Sequence, residues 1–175
     1  MYRFFIVGFI IFASFVLPFL VIQNNYKSTL HKLFFVFAQT NALWAFVNLM
    51  TGLNPNQFWV KSMYGVGALL VSGGLSWFFY LIERKFNIKK YLLIYTFGFL
   101  FFFFSIFTSY VVKDIKNIYF GYFDGHFGFL FPLYGIFLVG SLLYILIRLF
   151  IATKNSHGIQ RLQFFYVTFG AFIFA

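Results

Sequence analysis

Asp124 and His126 stand two residues apart, and both side chains are of metal-ligating type. A zinc centre needs three or four such ligands, and no third lies within reach of this pair in the sequence. The chain contains no cysteine, which excludes disulfides, thiolate metal sites and a thiol nucleophile. No P-loop, HExxH motif or nucleophile elbow is present, and Gly65-Val66-Gly67 lacks the remainder of a dinucleotide fingerprint. These residues therefore carry no catalytic motif and call for no cofactor. Any enzymatic activity would belong to a longer protein.

A second constellation is polar rather than catalytic. Asn41, Trp44 and Asn48 recur at helical spacing and share one face, with Gln39 nearby. Amides on an apolar helix either bond to a neighbouring helix, a contribution averaging about 0.6 kcal/mol, or line a polar ligand pocket inside a bundle. Tyr64 and His126 complete the candidate ligand-binding set, His126 because it lies in the most distinctive polar connection.

The elements that must position these residues follow from composition. Of 175 residues, 62% are hydrophobic and 9% charged, against about a quarter charged in a soluble domain. Thirty-three Phe and twelve Tyr exclude a disordered chain, so burial must be into lipid. The net charge of +10 would suggest nucleic acid in a soluble protein, but here the basic residues fall between apolar runs and no polyanion is required.

About 20 apolar residues cross a bilayer as helix. Five charge-free runs qualify as full spans, at 4–22, 33–51, 62–82, 91–112 and 127–147, and 162–175 forms part of a sixth. Their length favours helix over barrel strand. The first run is too long for a signal-peptide core and no small-x-small cleavage site follows it, so it reads as a span containing Pro18. Nine basic residues (Lys27, Lys32, Arg84, Lys85, Lys89, Lys90, Arg148, Lys154 and Arg161) fall on one side of these spans. Four (Arg3, Lys61, Lys113 and Lys116) fall on the other. The positive-inside rule then predicts an outside N-terminus. The incomplete sixth run predicts that further membrane chain follows, with a seventh span.

The runs themselves hold no Asp, Glu, Lys, Arg or His, which argues against a proton pump or a bis-histidine haem protein. In the third, Gly65, Ala68, Ser72 and Ser76 follow helical spacing beside Gly67, Gly73 and Gly74, the pattern of a close helix seam. Trp59, Tyr64 and Trp77 read as headgroup-level anchors. The connection from Lys113 to His126, with Asp114, Tyr119, Tyr122, Phe123 and Asp124, reads as an interfacial loop turning at Gly121, Gly125 and Gly128.

Several short motifs occur in a consistent order: Ala42-Leu43-Trp44-Ala45 in the second span, Phe58-Trp59 and Tyr64-x-x-Gly67 opening the third, and Trp77-Phe78 late in it. Gly128-Phe129-x-x-Pro132-x-Tyr134 opens the fifth, and Gln160, Arg161 and Gln163 mark the entry to the sixth. This pattern, over 32–175, resembles the N-terminal seven-transmembrane sensor region of bacterial histidine kinases. The resemblance implies seven helices, an outside N-terminus and a cytoplasmic output module that dimerises. The chain departs from the family in reading Ser72-Gly73-Gly74 where a mid-helix proline is frequent, and it holds no kinase histidine or ATP-binding box.

The sequence thus predicts an all-α polytopic membrane protein, a helical bundle acting as the sensory input domain of a signalling protein, with a histidine kinase as output. Its expected partners are the bilayer, a small-molecule or membrane stimulus and a second copy joined through the output module. A transporter or channel-like subunit, or a membrane scaffold, is the alternative; charge-free spans and the absence of a detectable repeat weigh against transport.

Overall fold

The computed structural model describes residues 2–174 apart from Pro55, Phe120 and Gly121; for residues 2–7, 10, 115–119, 122–124 and 170–174 only the backbone is described. Along the chain lie α1 (Tyr2–Asn24), α2 (Thr29–Leu53), α3 (Gln57–Glu83), α4 (Ile88–Phe107), β1 (Val112–Tyr119), β2 (Tyr122–Phe127), α5 (Phe131–Asn155) and α6 (Gly158–Phe174). Four helices, α2 to α5, are long and apolar enough to cross a membrane. Five full spans were expected. Helix α1 has 23 residues, of which Ile11–Asn24 form its continuously described apolar part, and α6 has 17 residues.

Helix α3 is the centre. It packs against α2, α4 and α5, while α1 lies on α2 and α6 on α5. Its small residues cause this, because a missing side chain lets another backbone approach. A Cβ on Gly73 would lie 3.3 Å from the Phe37 backbone of α2. One on Gly65 would meet Ile106 of α4 at 3.1 Å. Conversely, Gly98 of α4 admits the Ser72 side chain of α3, whose hydroxyl bonds to the carbonyls of Ala68 at 3.0 Å and Ile94 at 3.2 Å. The small residues thus serve several seams around one helix, where the sequence suggested a single stripe.

Local caps set the helix ends. The Asn56 side chain accepts from the Trp59 amide at 3.0 Å to start α3, and that of Asn87 accepts from the Lys89 and Lys90 amides to start α4. Arg84 closes α3 with φ of 53°, its amide bonded to the Tyr80 carbonyl at 2.9 Å. In α1, the helix continues through Pro18, and Gln39 of α2 donates to the Phe15 carbonyl at 3.0 Å in the turn the proline weakens.

Three boundaries differ from the sequence expectation. The fourth helix ends at Phe107 rather than at residue 112, since Thr108 is extended and its hydroxyl turns back to the Phe104 carbonyl. The expected interfacial loop is an antiparallel hairpin, with Val112 opposite Phe127, Asp114 opposite His126 and Ile115 opposite Gly125. Gly125 is therefore a strand residue and not a turn point. Gly121 and the Asp124 side chain lie outside what is described. Tyr, Val and Ile suit a strand as well as a lipid-facing helix, so hydropathy alone could not separate the two. The fifth helix begins at Phe131, with Pro132 in its first turn, and runs through Arg148 to Asn155.

Candidate functional site

Gly67 lies where three helices meet. A Cβ there would stand 3.2 Å from the Tyr134 hydroxyl of α5 and 3.5 Å from the Trp44 indole nitrogen of α2. Tyr134, 2% exposed, donates its hydroxyl to the Tyr64 carbonyl of α3 at 2.7 Å. Buried phenols usually find such a partner, and this one ties α5 to α3 across the bundle.

Around that bond the aromatic rings form a continuous path. Tyr64 meets the rings of Tyr134 at 5.7 Å, Phe131 at 6.1 Å and Phe127 at 6.2 Å, while Phe127 stacks on Phe131 at 3.8 Å. Phe101 of α4 adds an edge contact to Tyr134 at 5.6 Å. Phe127 belongs to β2, so the hairpin is coupled to the core through rings. The hairpin base is anchored as well: the Gly128 amide donates to the Val111 carbonyl at 3.0 Å and the Leu130 amide to the Tyr110 carbonyl at 2.9 Å. Gly128 packs directly on the Tyr110 carbonyl, leaving no space for a side chain.

Of the five candidate ligand-binding residues, Trp44 and Tyr64 come together around Gly67. Asn48 does not join them, because its amide donates to the Trp44 carbonyl of its own helix at 2.7 Å. Asn41 is exposed on α2. His126 is exposed on β2, opposite Asp114. Tyr64 and Trp77 also pack within the bundle: Tyr64 belongs to the ring path, and Trp77 stacks on Phe37 at 5.5 Å.

The end of the bundle remote from the hairpin is polar. Glu83, closing α3, accepts through one carboxylate oxygen from Lys90 of α4 at 2.7 Å and Arg148 of α5 at 3.4 Å. Lys90 also stands over the Phe79 ring, 3.5 Å from its centroid. Sequence reasoning missed this trio, having left Arg148 in a connection. The available signal was Glu83 itself, a carboxylate flanked by Arg84 and Lys85 at a helix end. At the opposite end Lys61 donates to the Thr108 carbonyl at 3.0 Å, placing a cation at the C-terminus of α4.

Among the described residues no group of three or more His, Asp or Glu is placed to hold a metal. Two surface grooves among the described residues, one lined by Thr153, Gly158, Arg161, Leu162 and Phe165 and the other running along α4 from Leu92 to Phe103, include none of the five candidates. Comparison of the chain with protein-family models, curated proteins and solved structures finds no match.

Proposed function

We propose that this chain is the membrane-embedded sensory input domain of a bacterial signal-transduction protein, with a histidine kinase as its output. In this reading the chain lies in the cytoplasmic membrane with its N-terminus and hairpin outside. α1 and α6 cross with the other four helices, and a seventh span leads to a dimerising output module. A stimulus at the hairpin, or at Trp44 and Tyr64 within the bilayer, shifts α5 relative to α3. Such a shift requires two packing states with different affinity for the stimulus.

The observation that carries the reading is the convergence on Gly67. Trp44, Tyr64 with Gly67, and Tyr134 come from three separate motifs of the sensor-region resemblance, and their side chains and backbone meet at one point. Short apolar motifs that matched by composition alone would have no reason to do so. The thinner packing of α5 on α3, compared with that of α2 or α4, adds to it, because a loosely held helix moves at lower cost.

Reading the gene beyond the codon for Ala175 tests the output half. A frame continuing through another apolar span into a phosphoacceptor-histidine segment and an ATP-binding module supports the kinase; a stop codon there overturns it. Alanine variants of Asn41, Trp44, Asn48, Tyr64 and His126 test the input half. Unchanged signalling in all five removes the ligand pocket, whereas loss confined to Trp44 and Tyr64 places recognition at Gly67.

A further inference from the structure

At the polar end of the bundle two cations share one acceptor. Lys90 and Arg148 both donate to the same oxygen of Glu83, so the trio carries a net positive charge within the reach of a single anion. All three side chains are about two-thirds withdrawn from solvent, with exposures of 30%, 38% and 31% for Lys90, Arg148 and Glu83. Partial burial of an uncompensated cation is costly, and an added anion offsets that cost.

Arg148 is also only half used. Its Nη2 makes the long 3.4 Å contact to Glu83, while its Nε is buried and has no hydrogen-bond partner among the described residues. Nε and Nη2 form one edge of the guanidinium, the fork that binds two oxygens of a carboxylate or phosphate side by side. A single carboxylate oxygen leaves that fork incomplete. The geometry asks for an acceptor with several oxygens and negative charge.

The surroundings identify where such an acceptor comes from. At this end Phe79 and Glu83 of α3 lie between the two outer helices: Lys90 of α4 sits over the Phe79 ring and bonds to Glu83, while Tyr144 and Arg148 of α5 meet the same two residues. Tyr144, Arg148 and Ile151 follow one another on one face of α5, and Tyr144 leans on Phe79 with ring centroids 5.4 Å apart. Tyr144 is 44% exposed and Ile151 46%, so apolar surface flanks the guanidinium along the helix. A ligand with a phosphate at one end and hydrocarbon beside it matches this order; a free anion would leave the apolar wall unused.

We propose that Arg148 and Lys90 seat the phosphate headgroup of an anionic phospholipid, with an acyl chain lying along the exposed face of α5 against Tyr144. Basic pockets between membrane helices bind anionic headgroups in this way. The lipid adds a link between Lys90 of α4 and Arg148 of α5, which now meet through Glu83, and it strengthens the attachment of α5 to α3. This seat depends on the helices crossing a bilayer and not on the sensory reading.

Native mass spectrometry of the purified chain, exchanged into equal amounts of phosphatidylglycerol and phosphatidylcholine, tests the seat. Wild type is expected to retain phosphatidylglycerol about tenfold over phosphatidylcholine. Lys90→Gln with Arg148→Gln should bring that ratio to parity, whereas Lys89→Gln with Lys154→Gln, the same charge change outside the trio, should leave it intact. No preference in wild type, or equal loss in both double variants, overturns the proposal. Arg148→Lys preserves charge and fold while removing the fork; it should lose most of the preference, and wild-type retention in this variant overturns the seat. Millimolar inorganic phosphate in place of lipid is expected to leave the melting temperature unchanged, and a shift equal to that given by phosphatidylglycerol assigns the trio to a soluble anion instead.

Discussion

The Tyr134 hydroxyl of α5 donates to the Tyr64 carbonyl of α3 at 2.7 Å, beside the position where Gly67 lacks a side chain. At the other end of the same helix pair, Arg148 reaches Glu83. Two polar contacts, one near each end, therefore join α5 to the central helix, and the aromatic packing lies between them.

Tyr134→Phe keeps the ring and removes the donor. The expected loss is about 1 kcal/mol, the usual net worth of one hydrogen bond, with little change in fold. Chemical denaturation in detergent micelles followed by circular dichroism checks this, and an unchanged midpoint would show that the bond contributes nothing to holding α5.

Glycine substitutions should separate by location. Gly98→Ala drives a methyl group into the Ser72 side chain, which is held by two carbonyls, and should cost about 1–3 kcal/mol. Gly140→Ala, with nothing within 4 Å, should be neutral or stabilise α5 by up to about 1 kcal/mol. Thermal unfolding of the two variants side by side is the measurement; similar melting temperatures would contradict the α3–α4 seam.

Glu83→Gln leaves Lys90 and Arg148 facing each other without a carboxylate. Because the trio is about one-third exposed, the expected loss is about 1 kcal/mol and not the larger cost of a fully buried pair. Combining it with Arg148→Gln should recover part of that loss, and a double-mutant cycle measures the coupling. Strict additivity would mean that Glu83 and Arg148 do not interact.

The hairpin depends on Gly128. A side chain there collides with the Tyr110 carbonyl, so Gly128→Ala should separate the hairpin from the start of α5. Limited proteolysis in membranes should show faster cleavage within 112–127, while a variant cut as slowly as wild type would place the anchor elsewhere.

The absence of native cysteine makes side-specific labelling simple. His126→Cys and Lys85→Cys flank α4, and both positions are exposed. An impermeant maleimide should label the first from outside intact cells and the second only after lysis. Labelling of both from one side would contradict a crossing by α4.

The amino-acid sequence by itself determined that this chain belongs in a membrane, where most of its helices lie and which helix carries the small residues. Those properties are local: about 20 apolar residues in a row leave the backbone no partner but itself in lipid. Val111 and Val112 mark the limit, since the same residues suit a helix end or a strand start, and pairing with Phe127 decided the outcome. Only the tertiary structure decided which polar groups meet. Asn41, Trp44 and Asn48 share a helical face in sequence, yet Trp44 lies beside Gly67 while Asn48 bonds within α2 and Asn41 is exposed. Glu83, Lys90 and Arg148 lie on three helices, with 65 residues separating the carboxylate from the guanidinium. Their meeting follows from how α4 and α5 pack on α3, a long-range property that no local pattern of hydropathy or charge encodes.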